Sequence, residues 1–319
     1  MRLEPPAARL AHIGGSGTWG FRYPDGALEG HPRLSVEVVD GAIEVATPYG
    51  PSPPFRLCRL HDRDTGGATD YLYVWMHGID PANRSDAPAD GGRASERVFD
   101  VLARAGVRRV IVDNSTGGIA PELAPWDLAV VGDVVDLSGS VPRPAPSGLV
   151  RFRSPLCPAL ARHLEAAARD ALPRVAELAG PGAAPQVKPG AVYVHSPGPW
   201  FETPAEDRLY RRLGLDVVGK TAGPEFRLAR TYGMCLGILS LVANPAEGLG
   251  DFEVADLRDI YRRCGPMIAR VVLEALAAAA AEPAARACEC GSPRPPSLFE
   301  EFARHARYSR SADDGRGGA

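Results

Sequence analysis

The 319-residue sequence predicts an α/β fold, a single domain with a mixed sheet flanked by helices. Short apolar runs of strand length alternate along the chain with segments whose apolar residues recur at helical spacing. Several of those runs, residues 235–242 above all, are apolar almost throughout, the pattern of strands buried on both faces. The composition, 45% hydrophobic and 24% charged, is that of an ordinary globular chain and allows one substantial core.

In chain order, residues 10–13 form a buried strand that stops at Gly14-Gly15-Ser16-Gly17. Residues 34–45 alternate and read as strands. Residues 71–76 (Y-L-Y-V-W-M) form a strand ending at His77-Gly78, and the polar, Pro- and Gly-rich residues 79–92 form a loop. Residues 95–105 have helical spacing, closed by Gly106. A strand at 107–112 leads into a polar turn at 113–118, and a further strand covers 128–135. Residues 157–178 are helical and 191–195 form a strand. Pro204 opens a helix capped by Thr203, with Glu206 at the capping-box position. Residues 216–218 form a short strand, 225–232 a helix and 235–242 a buried strand. A long helix covers 251–280, with Gly265-Pro266 as a point of interruption; its alanine run at 277–281 reads as surface-packed. Residues 1–282 are expected to form the domain, and 283–319, rich in Pro, Arg, Ser and Gly, a partly disordered tail.

Charge and cysteine usage narrow the functional classes. The net charge of −3 provides no basic field for nucleic acid or an anionic membrane. No continuous apolar run reaches the length of a membrane span, and no basic-then-apolar leader opens the chain, so a soluble cytoplasmic enzyme without nucleic-acid or membrane partners is expected. The six scattered cysteines fit a reducing compartment. Cys288-Glu289-Cys290 is a C-x-C pair, but two thiols fall short of a zinc ligand set, so they read as incidental thiols on the tail, with a redox or stabilising pair as the alternative, and no metal is expected.

Chemistry concentrates in polar segments at strand ends, where α/β folds place ligands. Gly14-Gly15-Ser16-Gly17 can turn several amides toward one anion, with the Ser16 hydroxyl as a further donor; a tight structural turn is the alternative. Asp113-Asn114-Ser115-Thr116-Gly117-Gly118 can line a phosphate or sugar pocket, or simply cap a turn. Three more clusters follow: residues 195–206 (H-S-P-G-P-W-F-E-T-P-A-E), 216–225 (D-V-V-G-K-T-A-G-P-E) and 242–248 (V-A-N-P-A-E-G).

The order G-G-S-G, M-H-G, S-T-G-G, G-P-W-F-E-T-P-A-E, D-V-V-G-K-T-x-x-P-E and A-N-P-A-E-G resembles the purine nucleoside phosphorylase and methylthioadenosine (methylthioinosine) phosphorylase family, from about residue 13 to about 248. The resemblance implies a nucleoside phosphorylase-type fold and a homo-oligomer, a trimer or hexamer, with active sites near subunit interfaces. It implies a pentosyltransferase that cleaves the N-glycosidic bond of a purine nucleoside. Inorganic phosphate would be co-substrate and no organic cofactor would be needed. Phosphate would be bound by Gly15, Ser16, His77, Asn114, Ser115 and Thr221. The nucleoside would meet Ser115, Thr116, Gly117, Phe201, Gly219, Lys220, Asn244 and Ala246, with Phe201 stacking on the base. Asn244 and His77 are the expected catalytic residues. An Asn at the base can donate to O6 and N7 of a 6-oxopurine, or accept from its N1–H, without a shifted pKa. The N-P-A pattern therefore points to a 6-oxopurine or methylthioinosine-like substrate.

The pattern also breaks. Met76 stands where the family has the arginine that pairs with phosphate, Trp200 replaces another arginine, Asn114 a common threonine and Lys220 a ribose-facing methionine. Two readings follow: Lys220 compensates for Met76 and phosphorolysis persists, or the scaffold has become a phosphate-independent nucleoside hydrolase or specialised biosynthetic enzyme. A non-catalytic nucleoside-binding protein is the competing class. Among the remaining polar residues, His12, His31, His61, His163 and His305 read as surface or structural, and so does His195, with a reach to the 5′ end of a ligand as its alternative. Glu225 reads as a helix N-terminal acid, and Glu202 and Glu206 as capping and solvating their helix.

Overall fold

The computed structural model describes residues 1–18, 21–77, 94–139, 141–144, 150–196, 200–283 and 288–291. The expected loop at 79–92, the turn at 197–199, His305 and the far tail lie outside the described residues. Among the described residues there are eleven strands: β1 (Leu10–Gly14), β2 (Leu34–Ile43), β3 (Ala46–Thr47), β4 (Gly50–Pro51), β5 (Phe55–Asp62), β6 (Gly67–Trp75), β7 (Arg109–Gly118), β8 (Leu128–Asp136), β9 (Val187–His195), β10 (Val217–Gly219) and β11 (Cys235–Pro245). The helices are α1 (Ala94–Arg104), α2 (Pro158–Ala179), α3 (Pro204–Arg212), α4 (Ala222–Thr231) and α5 (Val254–Ala281).

Nine strands form one mixed sheet in the order β10-β9-β8-β11-β7-β1-β6-β5-β2. Its centre is parallel: β7 pairs with both β1 and β11, and β1 with β6. Successive residues of these strands point to opposite faces. Leu10, Ile111 and Leu239 therefore enter the core beneath α2 and α5, while Ala11, Val112 and Ile238 enter the core beneath α1 and α4. The expected α/β sandwich with helices on both sides is what forms.

One end of the sheet curls onto itself. β10 is parallel to β9 at the edge, yet it also pairs antiparallel with β7, Val217 opposite Gly118 and Val218 opposite Gly117. Glycine eases the close crossing there, since a Cβ at Gly117 would stand 3.1 Å from Ala246 Cα and 3.2 Å from Val218. Strands β7, β11, β8, β9 and β10 thus close a ring, and the C-terminal ends of β7 and β11 meet the start of β10 there.

Three expectations change. Residues 113–118 are strand, because β11 pairs with β7 as far as Gly118 and supplies partners for its polar side chains. α5 runs unbroken through Gly265-Pro266, and a phenylalanine ring, Phe21, packs where a side chain at Gly265 would stand. By length and composition α5 is apolar enough to cross a membrane, but 67% of that stretch is buried inside the fold, and Ala277 and Ala279 of its alanine run are buried too. β5 has no counterpart among the expected strands; its charges obscure the buried Phe55, Cys58 and Leu60, and Arg59 is held by Asp70 at 2.7 Å.

Candidate active site

The turn after β1 is fixed from below by Asp113. This fully buried carboxylate meets His12 Nε2 at 2.8 Å and accepts the Gly15 N–H at 3.2 Å and the Thr18 hydroxyl at 3.1 Å. Only glycine fits at position 15, since a Cβ there would lie 2.3 Å from His77 Nδ1 and 2.4 Å from the Asp113 carbonyl. Ser16 then sits half-buried at the rim. Its Oγ accepts the Ser115 N–H at 3.2 Å and lies 2.5 Å from Ser115 Oγ, which lies 2.9 Å from the Tyr261 hydroxyl of α5. A hydroxyl that already accepts a backbone N–H keeps its own proton free to donate. The two contacts among the three hydroxyls use two of their protons, so the corner keeps one hydroxyl proton, with Ser16 placed to present it to an anion.

Strand alternation divides the β7 residues. Ser115 and Gly117 face the half-exposed side, whereas Asn114 and Thr116 are buried. Asn114 accepts from Ser240 Oγ at 2.6 Å and donates to Thr221 Oγ1 at 3.2 Å, so its side chain is used internally. The Thr116 hydroxyl points to the Leu241 carbonyl at 3.4 Å. Asn114 thus orients Thr221, whose accepted N–H leaves its own O–H to donate outward. Thr221 occupies the N-cap position of α4 without a side-chain capping bond, at the positive end of the helix dipole.

His77 follows the end of β6 and is buried, with Nε2 against a Glu225 carboxylate oxygen from the first turn of α4. Burial disfavours charge on the imidazole, but Glu225, with a smaller contribution from Asp113, holds its pKa above the usual histidine value. His77 therefore joins β6, the glycine turn and α4 as a polar strut. Glu225 is its buried partner, which goes beyond a helix-terminal acid. Met76 is buried in the core with Ile13, Val74 and Phe99, so the position of the family arginine has been absorbed into the hydrophobic interior.

The other wall is apolar and charged. Phe201 is 55% exposed, with its ring 6.2 Å from Phe252 and Lys220 Nζ 5.7 Å from its centroid. The Lys220 ammonium is engaged by Glu202, a buried carboxylate rather than a solvated cap. Glu206 does close the capping box with Thr203. Asn244 ends β11 opposite Gly117, and its amide donates to the Pro245 carbonyl at 2.6 Å. Ala246 is buried against Gly117, and Gly219 lies where a Cβ would meet Tyr193 Oη at 2.3 Å. The turn after β11 reaches α3, since a Cβ on Gly248 would strike Pro204 at 2.4 Å. Nearby Asp207 is buried, and neither carboxylate oxygen has a hydrogen-bond partner among the described residues. Burial, then the Glu202 carboxylate, push its pKa up to about 7 against the opposing pull of Lys220.

All six motifs therefore touch. Ser16 meets Ser115, His77 abuts Gly15 and binds Glu225, Thr221 meets Asn114, Lys220 meets Glu202, and Gly248 packs on Pro204. Asn114 and Thr116 are supports behind the pocket. The sequence reading did not foresee Asp113, Tyr261, Glu202 or Ser240, which act through partners distant in sequence; Asp113, inside a polar strand end, carried the clearest signal. A separate cleft of about 930 Å³ between α2, α5 and the segment near His31 contains none of these residues.

Comparison with known proteins agrees with this geometry. Residues 73–277 match the model of the phosphorylase superfamily. The chain is 28% identical over 291 residues to a probable 6-oxopurine nucleoside phosphorylase of Moorella thermoacetica, covering 88% of this chain and 96% of that one. It is 32% identical over 203 residues to the 6-oxopurine nucleoside phosphorylase of Pyrococcus furiosus, covering 59% and 71%. The fold matches a Schistosoma mansoni adenosine/methylthioadenosine phosphorylase solved with methylthioadenosine, with TM-score 0.65 and 20% identity over 86% of this chain and 93% of that one. Sequence match, fold and the meeting of the motifs agree: this chain belongs to the phosphorylase superfamily.

Proposed function

We propose that the protein is a pentosyltransferase that cleaves the N-glycosidic bond of a 6-oxopurine nucleoside and passes the pentosyl group to inorganic phosphate. The observation that carries this reading is the donor corner of Ser16, Ser115 and Tyr261 beside the Thr221 end of α4. In the reaction the C1′–N9 bond breaks with its electron pair leaving on the purine, and a phosphate oxygen bonds to C1′. Hydroxyls, the amides of the turn beyond Gly15 and the helix terminus would hold the phosphate; the Gly15 N–H, expected among the phosphate donors, is committed to the buried Asp113 instead. Asn244 would donate to the base as negative charge develops on it, and Phe201 would cover the ring. His77 would act as a positioning residue that fixes the glycine turn and α4.

A hydrolase is the second reading, favoured by one observation: Met76 is buried and Lys220 is committed to Glu202, so neither offers phosphate an unpaired cation. The test is base release from inosine, guanosine, adenosine and their 5′-methylthio forms, with and without phosphate. Phosphate-dependent release of hypoxanthine or guanine supports the proposal; equal release without phosphate supports hydrolysis. Asn244→Asp should shift preference toward adenosine by about tenfold or more, since exchanging a complementary donor–acceptor set at a buried base edge changes discrimination strongly; an unchanged ratio would remove Asn244 from base reading. We also propose a homo-oligomer, because Trp200, Phe201, Leu209 and Leu213 leave apolar surface beside the pocket. Light scattering at the monomer mass would contradict it.

A further inference from the structure

Four of the six cysteines, far apart in sequence, come together at the opposite end of β11 from the candidate active site. Cys157 is the N-cap of α2, Cys235 opens β11, Cys288 precedes a short 3₁₀ turn beyond α5 and Cys290 lies within it. Their sulfur atoms all lie within 4.8 Å of one another, and three of the four residues are buried. Four thiolates around a tetrahedral zinc, each at about 2.3 Å, stand about 3.8 Å apart, so the cluster needs only a small contraction to hold the ion. Cys235 and Cys288 approach to 3.4 Å, inside that range and well beyond the roughly 2.05 Å of a disulfide.

The surroundings suit such a centre. Cys157 stands at the N-cap of α2, where the positive end of the helix dipole favours a thiolate. Arg230 donates to the Ser154 carbonyl at 2.6 Å and the Glu289 carbonyl at 3.2 Å, bracketing the site from two chain segments with positive charge. The Cys157 N–H donates to the Leu236 carbonyl at 2.7 Å, which ties the two non-tail ligands into one frame. Arg109 holds the approach through the Pro283 carbonyl at 3.0 Å. Residues 288–291 are therefore docked on the domain and do not belong to a free tail, and the two missing ligands that the C-x-C pair lacked are Cys157 and Cys235.

We propose that Cys157, Cys235, Cys288 and Cys290 bind one structural zinc ion that pins the segment after α5 to α2 and β11. Binding exchanges thiol protons for metal: one Zn²⁺ and four thiols give a tetrathiolate zinc centre and four protons. All four positions are protein ligands, so the ion takes no substrate. β11 separates it from Asn244 by about 30 Å, at about 3.3 Å per strand residue.

The full-length protein, purified with reductant and without chelator from zinc-supplemented cells, tests this by elemental analysis. About one zinc per chain is expected. Titration of the wild-type protein with a mercurial should release that zinc in proportion to thiol modification, completely once four thiols per chain have reacted. The Cys288→Ser/Cys290→Ser variant should lose the zinc, unfold at lower temperature and keep its nucleoside turnover once folded. If that variant does not fold, the wild-type titration decides. Metal-free protein with the cluster thiols free, a pair of disulfides by mass under the same reducing conditions, or iron in place of zinc would each overturn the proposal.

Discussion

At the scale of single residues, the proposed anion site rests on a chain of three hydroxyls, one end of which accepts a backbone N–H and keeps a proton for a ligand. Ser115 is the central case, bridging Ser16 and Tyr261 while half-exposed. Replacing Ser115 with Ala should raise KM for phosphate by about 10-fold or more, the loss expected for a hydrogen bond to a charged group of about 1.5–3 kcal/mol, with a smaller change in KM for nucleoside. Equal changes in both would place Ser115 outside the anion site. Asp207 gives a pH signature. Its carboxyl is held at about 7 in the fold, above its value of 3.8 when free, so the folded state binds that proton more tightly. Its stabilising contribution is complete below about pH 4 and fades as pH rises through about 7. Asp207→Asn should therefore gain thermal stability over the wild type at pH 8 relative to pH 5. A Tm difference that does not vary with pH would show that Asp207 titrates normally.

At the scale of elements, the site is assembled by strand ends and one helix start. The turn after β1 lies so close to His77 and Asp113 that Gly15→Ala should destabilise the fold by about 2 kcal/mol or more, because the blocking Asp113 carbonyl is backbone and has little room to yield. Thermal unfolding measures it, and a neutral substitution would mean the turn can open without cost. Much of this level was legible from sequence. The apolar runs that became β1, β8 and β11 and the Thr203–Glu206 capping box carry local signals, and the structure keeps them. Residues 113–118 were not legible as strand, because their polar side chains are satisfied by Ser240 and the Leu241 carbonyl, partners about 125 residues away. The same holds for β5, whose charges mask its buried residues.

At the scale of the whole molecule, closure of β10 onto β7 turns an edge strand into the wall of a pocket. No sequence period encodes that second pairing; only the glycines at 117 and 118 hint at a close crossing. The ordered motifs carried the family, while the exchange of the phosphate-side arginine for Met76 was visible without its consequence, which is burial in the core. The central claim is that phosphate accepts the pentosyl group through hydroxyls, amides and a helix terminus in place of that arginine. The most direct measurement is phosphorus-31 NMR of the reaction with inosine in phosphate buffer. The account predicts a pentose 1-phosphate resonance growing in step with hypoxanthine; free ribose formed with no new phosphate ester would contradict it.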